Sequence, residues 1–479
     1  MQRITPERRW PLYSIAATRR FEQASASTLP GHLLMQRAGL AVARLALALA
    51  PHAKTCWIAC GPGNNGGDGL EAAMHLQRWG KSPHVTWLGD QSTAPADARA
   101  SFERARQAGV SIHGEPPPSW DFAIDALLGI GSSRAPEGQL AQWVARLNAG
   151  ASPVLAVDLA SGLDADTGAA AAVRASHTLC LLTLKPGLFT ASGRDASGQI
   201  WFDDLGVLAV RDDHEPTAWL SAPSPALARA HASHKGSYGD VAVIGGAPGM
   251  AGAALLAAAA ALHSGAGRVF VGLLDADAMS VDAAQPELML RPWDSLDLGR
   301  MSVACGCGGG QAVRAVLPRI LSTARALVLD ADALNAIAGD ARLQSQLEQR
   351  SGRPGLATVI TPHPLEAARL LACSATDIQT NRLAAANDLA LRFGCVAVLK
   401  GSGTVTADPD RSPVVNFTGN ASLATAGTGD VLAGMIAARL AAGAMAFEAA
   451  CEAVHAHGAA ADRWSGPTPL TASELARRA

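Results

Sequence analysis

Residues 427–430 read Gly427-Thr428-Gly429-Asp430 and run directly into an apolar stretch that begins at Val431. Small residues in the first turn of a helix leave its backbone N–H groups open, and with the helix dipole those groups form a hole for an anion. A carboxylate beside such a hole is placed to take the proton of an attacking hydroxyl, so the stretch has the parts that phosphoryl transfer needs, with Asp430 as general base. Upstream, Lys400-Gly401-Ser402-Gly403-Thr404 closes an apolar run with a turn whose backbone can approach a nucleotide phosphate. Alone, that turn also reads as an ordinary strand–turn–strand; paired with GTGD in this order it favours a nucleotide. His363 stands between two prolines and reads either as a ligand contact or as a satisfied structural histidine. The nearby pair Cys305 and Cys307 offers two ligands, too few to close a zinc site.

The first half carries a second set. Gly61, Gly63 and Gly66 satisfy GxGxxG after a strand-like run, and Asp90 closes the next run, which raises an NAD-dependent oxidoreductase. Against it, Asn64 and Asn65 occupy the turn and Asp68 is expected at the helix entrance, where a carboxylate repels an arriving pyrophosphate. Such a loop suits sugar hydroxyls or a cation, with simple helix capping by Asp68 as the structural alternative. Asn65, Asp125 and the pair Asp158/Ser161 stand at the ends of three strand-like runs, and oxygen donors of that kind suit a hard alkali cation.

Parallel strands are expected to position these groups. Buried β-type runs occupy residues 55–59, 84–88, 122–126, 153–157 and 178–182, separated by Ala/Leu-rich helical stretches. A second series starts at 241–244 and continues at 268–273, 326–329, 358–361 and 396–400. Between the series the composition shifts to Pro, Ala, Ser and His, so the expected division is a domain over residues 1–220, a linker over 221–236 and a domain over 237–479. No short repeat relates the two halves.

A length of 479 residues is too much for one core, and 49% apolar with 17% charged residues excludes a disordered chain. With a net charge of −2 and no basic tract, a nucleic-acid partner is disfavoured. Residues 241–267 contain no Asp, Glu, Lys or Arg, but their glycine cluster reads as strand, turn and buried helix rather than as a membrane span. The eight cysteines have no zinc-type frame and are expected to be buried thiols in a reducing cytoplasm.

Taken in order, GPGNNGGDG, DALLGIG, VDLASGLDADTG and LKPGL resemble the YjeF N-terminal domain, the NAD(P)H-hydrate epimerase family, over about residues 10–215. The resemblance implies that Asn64, Asn65, Gly66, Gly67 and Asp68, with Gly129, Ile130, Gly131, Ser132, Ser133, Arg134 and Ala135, contact the hydrated nucleotide. It further implies K⁺ on Asn65, Asp125 and Ser161, and Asp158 as the substrate-contacting acid/base. The family usually has Pro where Ala160 stands and often Glu where Gln36 stands; neither change removes a functional group. From about residue 234 onward the motifs resemble the ribokinase-like superfamily, specifically the ADP/ATP-dependent NAD(P)H-hydrate dehydratases. That likeness implies hydrate contacts at Ala253, Gly308, His363 and Asp430, an adenine-nucleotide site at Lys400, Gly401, Ser402, Gly403, Thr404 and Gly429, and Mg²⁺ on the ADP or ATP phosphates. Where the family reads GPGLG, this chain has Gly306-Cys307-Gly308-Gly309-Gly310.

The expected fold is therefore α/β, with two different three-layer αβα domains, the first Rossmann-like and the second ribokinase-like. The expected activity is epimerisation of hydrated NADH or NADPH (NADHX, NADPHX) by the first domain and ADP- or ATP-dependent dehydration of the S form by the second. A homo-oligomer acting on small molecules, away from membranes, is expected. The rival expectation is a small-alcohol or vitamin-precursor kinase fused to a non-catalytic Rossmann-like binding module.

Overall fold

Apolar runs buried on both faces build two mainly parallel sheets in a computed structural model. It describes residues 1–131, 135–169, 172–207, 215–224, 231–351 and 353–478. The chain divides into two compact units, Met1–Thr5 with Trp10–Ala218, and Pro6–Arg9 with Trp219–Ala479. In chain order the strands of the first half are β1 (Gln2–Arg3), β2 (Trp10–Leu12), β3 (Thr55–Cys60), β4 (Ser82–Trp87), β5 (Ile112–His113), β6 (Phe122–Ala126), β7 (Val154–Val157), β8 (His177–Leu181) and β9 (Gln199–Asp203). Those of the second half are β10 (Ala218–Leu220), β11 (Asp240–Gly245), β12 (Arg268–Leu273), β13 (Met289–Leu290), β14 (Ser302–Cys305), β15 (Ala326–Leu329), β16 (Ala357–Ile360), β17 (Val396–Leu399), β18 (Val405–Asp408) and β19 (Arg411–Val415).

The first sheet runs β1-β9-β8-β7-β6-β3-β4-β5. It is parallel apart from the antiparallel edge strand β1. From β3 the chain moves outward to β4 and later returns to β6 on the other side of β3. That reversal of strand order is the arrangement that puts helices on opposite faces and opens a crevice beyond the C-terminal ends of the two strands beside it, β3 and β6. Every residue of β6 and β7 is buried, as a doubly covered sheet requires.

In the second unit the order is β13-β12-β11-β14-β15-β16-β17, all parallel, followed by antiparallel β18 and β19 and by β10 parallel to β19. The direction of winding reverses around β11, which lies between β12 and β14. The helix Thr428–Ala441 is buried nearly all round. It packs so closely on the Ala-rich helix Ala251–His263 that a Cβ on Gly434 would lie 1.9 Å from the Ala257 carbonyl oxygen. The charge-free run 241–267 is thus β11 plus that buried helix. Among the described residues no single helix is long and apolar enough to cross a membrane, and one bent pair, Ile15–Thr28 with Leu33–Leu49, passes by length and composition.

The expected strands are all present, with ends shifted by at most two residues. The sequence reading missed β14, because its four residues merge into a glycine-rich stretch, and it missed β9 and the antiparallel pair β18–β19. It also overstated cysteine burial: Cys373 is exposed and Cys451 half-buried, while the other six are buried and all eight are free thiols.

Candidate active sites

In the first unit the helix Asn64–Arg78 starts one residue after its N-cap Gly63, which has no capping side chain. Asp68 therefore lies one turn inside the helix. That corrects both the expected entrance position and the capping alternative. Its side chain instead faces a cavity of about 730 Å³, lined also by Asn64, Asn65, Gly129, Ile130, Gly131, Asp158 and Lys185. Burial, then the charge of Asp158, pushes the Asp68 carboxyl well above its ordinary range, so it tends to hold a proton. Gly66 and Gly67 are placed elsewhere: a Cβ would lie 2.1 Å from the Gly61 carbonyl oxygen at Gly66, and 2.4 Å from Met35 Sδ at Gly67. Both let the helix close on its neighbours. Ala135 is exposed and does not line the cavity, and Ser132, Ser133 and Arg134 lie outside the described residues.

Asp158 follows β7 with φ 66°, a left-handed conformation uncommon for a residue with a side chain and frequent at functional sites. Its Oδ1 receives the Leu181 backbone N–H at 3.1 Å and the Lys185 ammonium. Lys185 is fully buried and also donates to the Leu181 carbonyl at 2.8 Å. Burial alone pulls that ammonium down, but the Asp158 carboxylate outweighs it and holds the lysine above its usual value. Among the described residues nothing donates to Asp158 Oδ2, which leaves one oxygen able to exchange a proton with a ligand. Asp125 does not line the cavity and is wholly buried, receiving the Ser161 hydroxyl at 2.6 Å, the Ser161 backbone N–H at 2.8 Å and the Leu127 N–H at 3.2 Å. Burial raises it to about 6 against those hydrogen bonds. Asn65 lies against Gly129, and its buried amide nitrogen has no partner. The donor set of Asn65, Asp125 and Ser161 is all oxygen, and an alkali cation would offset the buried carboxylate.

The second site gathers the ends of four strands. Lys400, just past β17, pairs through Nζ with Asp330 Oδ1 just past β15, at 2.5 Å. The Gly427 N-cap has φ 91°, and a Cβ on Gly429 would sit 3.3 Å from Lys400 Nζ, so both turn motifs meet at the first turn of the Thr428–Ala441 helix. Asp430, Asp330 and Cys307 come within 4.8 Å of one another. Burial, then the charge of Asp330, raises Asp430 to about 6, while Cys307 and Lys400 hold it down. Gly308 and Ala253 also meet: a Cβ on Gly308 would lie 2.9 Å from that of Ala253.

Arg382 shapes the turn after β17. Buried, it donates to the Leu399 and Lys400 carbonyls at 3.1 and 3.0 Å, and Gly401 lies against its guanidinium. Ser402 is exposed, Gly403 buried, and Thr404 Oγ1 donates to the Gly401 carbonyl at 3.1 Å. His363 is the N-cap of the helix Pro364–Leu371. Its Nδ1 accepts from Leu365 and Glu366 N–H at 3.1 and 3.3 Å, and its own N–H donates to Glu366 at 2.8 Å. The structural role thus occupies Nδ1, while the half-exposed ring keeps Nε2 toward Glu366 at 3.3 Å.

Sequence reasoning gave no role to Lys185, Asp330, Cys307 or Glu366. Charged residues closing neighbouring apolar runs were the available signal, since Lys185 stands in LKPGL and Asp330 in LDADAL.

A family model described as YjeF-related protein N-terminus matches residues 31–187, and one described as NAD(P)H-hydrate dehydratase matches residues 241–477. The chain is 38% identical over 472 residues to the bifunctional NAD(P)H-hydrate repair enzyme Nnr of Escherichia coli, covering 93% of this chain and 88% of that one. It is 34% identical over 486 residues to the enzyme of the same name from Coxiella burnetii, with 97% of each chain covered. Among solved structures, an ADP/ATP-dependent NAD(P)H-hydrate dehydratase from Bacillus subtilis, co-crystallised with ATP/Mg²⁺, is 31% identical and covers 52% of this chain and 91% of its own, with a TM-score of 0.44.

Proposed function

We propose how the residues above act in a chain that belongs to the family of bifunctional NAD(P)H-hydrate repair enzymes. The first unit epimerises the R and S forms of hydrated NADH or NADPH, and the second dehydrates the S form to the reduced nicotinamide at the expense of ADP or ATP. The observation that carries the residue assignment is similar in both units: a carboxylate at a strand-end crevice with an ion-paired lysine nearby, buried Lys185 bound to Asp158, and half-buried Lys400 bound to Asp330 beside Asp430.

Epimerisation at C6 of the hydrated ring opens and recloses one bond, so it needs a group that accepts a proton and returns it. Asp158 Oδ2 does this, with Lys185 fixing the other oxygen and Asp68 able to donate a hydrogen bond from its protonated form. Asn65, Asp125 and Ser161 would hold K⁺, which supplies charge compensation beneath the substrate. Added K⁺ should then raise the thermal midpoint of the wild type and leave Asp125→Asn unmoved; an equal rise in both would remove the cation from these residues.

For dehydration Asp430 takes the C6 hydroxyl proton as that oxygen bonds to the terminal phosphorus of the nucleotide, and the bond to the AMP or ADP oxygen breaks. The N–H groups of residues 428–430 stabilise the transferring phosphoryl, whose nucleotide enters as its Mg²⁺ complex. Loss of phosphate from C6, pushed by the ring nitrogen and followed by loss of the adjacent C5 proton, restores the double bond. Incubating the S hydrate with MgADP should restore the absorbance of reduced nicotinamide. The rival small-alcohol kinase would give no recovery, and whole-length relatives named for hydrate repair favour the first reading.

A further inference from the structure

The turn after β14 carries a group that the mechanism has not used. Cys307 is fully buried, and its backbone carbonyl accepts the Gly246 N–H at 3.0 Å, which ties the turn to the end of β11. It is flanked by Gly306 and Gly308, both at positive φ. With the main chain pinned in this way, its sulfur points to the catalytic turn, within 4.8 Å of carboxylate oxygens of Asp430 and Asp330. Asp330 already takes the Lys400 ammonium. Among the described residues the thiol is therefore the uncharged side-chain donor beside Asp430.

We propose that Cys307 is a positioning residue for Asp430: its S–H engages one carboxylate oxygen and leaves the other to receive the substrate proton. The proposal rests on Asp430 being the base of the dehydration step. A thiol suits the task because burial, then the Asp430 charge, keeps it protonated far above neutral pH, so it donates throughout the working range. The other groups that face Asp430 are Asp330 and Asp332 beyond β15 and Lys400 beyond β17. On the packed helix Ala446–Asp462, buried His457 bonds the Thr428 carbonyl at 2.9 Å and is held neutral, its value lowered to about 4 by burial. Cys307 is the uncharged donor in this set.

The test uses the full-length enzyme with the S hydrate and MgADP, measuring kcat, KM for ADP and the pH profile of kcat for the wild type, Cys307→Ala and Cys307→Ser. Removing a donor to a carboxylate raises its pKa. Cys307→Ala should therefore lower kcat about three- to tenfold and move the acid limb upward by roughly half to one pH unit, with KM for ADP unchanged. Cys307→Ser, which keeps a donor, should recover kcat to within about twofold and return the limb. An ADP-induced rise in thermal midpoint in each variant establishes that the site is folded. An unmoved acid limb in Cys307→Ala, or a serine variant as impaired as the alanine one, overturns the proposal. Retained dehydration in Asp430→Asn would instead overturn the underlying reading of Asp430, whatever Cys307 does.

Discussion

At the scale of single residues, each site sets a carboxylate in a surrounding that the sequence shows only in part. Asp158→Asn should lower epimerisation of the R hydrate by about 10²- to 10⁴-fold, read as the rate at which R material becomes available for dehydration. An unchanged rate would remove Asp158 from the chemistry. Asp430→Ala should abolish dehydration while ADP still raises the thermal midpoint; loss of that protection would make Asp430 a ligand or structural residue. Because Asp430 is raised to about 6 and acts ionised, wild-type dehydration should fall as pH drops through about 6. The linkage has the opposite sense. An acid raised in the folded state lends stability below its unfolded pKa and loses it as pH rises through about 6, so at pH 8 Asp430→Asn should be the more stable protein, on the order of 1 to 2 kcal/mol after solvent screening. Both carboxylates were legible because each adjoins an apolar run in a glycine-rich setting, Asp158 after one and Asp430 before one. The ion pairs beside them were not: Lys185 is 27 positions from Asp158, and Lys400, though marked as a nucleotide contact, is 70 from its partner Asp330, separations that only the folded sheet closes.

At the scale of elements, glycines let strand ends and helix starts approach each other. Gly427 shows what that requires. Its φ is 91°, and an added Cβ would stand 2.7 Å from Leu256 Cδ1 and 2.9 Å from Ala472 Cβ. Gly427→Ala should therefore tilt the first turn of the Thr428–Ala441 helix, raise KM for ADP and lower the thermal midpoint of the second unit; a variant with wild-type KM would mean that this turn does not bind phosphate. The parallel strands could be read from the sequence because strands buried on both faces are continuous apolar runs. Central β14 was lost, since four residues before Gly306 carry too little periodicity to stand apart from the glycines. The pair β18–β19 was lost for a different reason: Thr406, Asp408, Arg411 and Ser412 break the apolar run that marked its neighbours.

For the whole molecule, the near-neutral balance of 39 basic and 41 acidic residues sets how anionic ligands are held. A basic surface would draw nucleotides from a distance, and salt would screen that attraction over about 10 Å. Here the lysines at both sites are committed: Lys185 is fully buried against Asp158, and Lys400 is bound to Asp330. In the proposed reading this leaves phosphate to the row of N–H groups that opens the Thr428–Ala441 helix, which would act by contact and carries no net charge. The KM for MgADP should then change less than about twofold between 50 and 300 mM NaCl, at fixed K⁺ and Mg²⁺, whereas binding through several exposed cations would weaken by an order of magnitude or more. A steep rise of KM with salt would place the phosphates on surface arginines or lysines and remove the helix start from its role. The same measurement on a fragment of residues 219–479 bears on the division into two units. That fragment lacks Pro6–Arg9, which belong to the second unit and bring the Arg9 guanidinium 4.4 Å from the Trp219 ring. A lost contact of this kind is worth about 0.5 to 1 kcal/mol, so the fragment should melt a few degrees lower yet keep the flat salt response, because every group proposed to meet the phosphate lies within it.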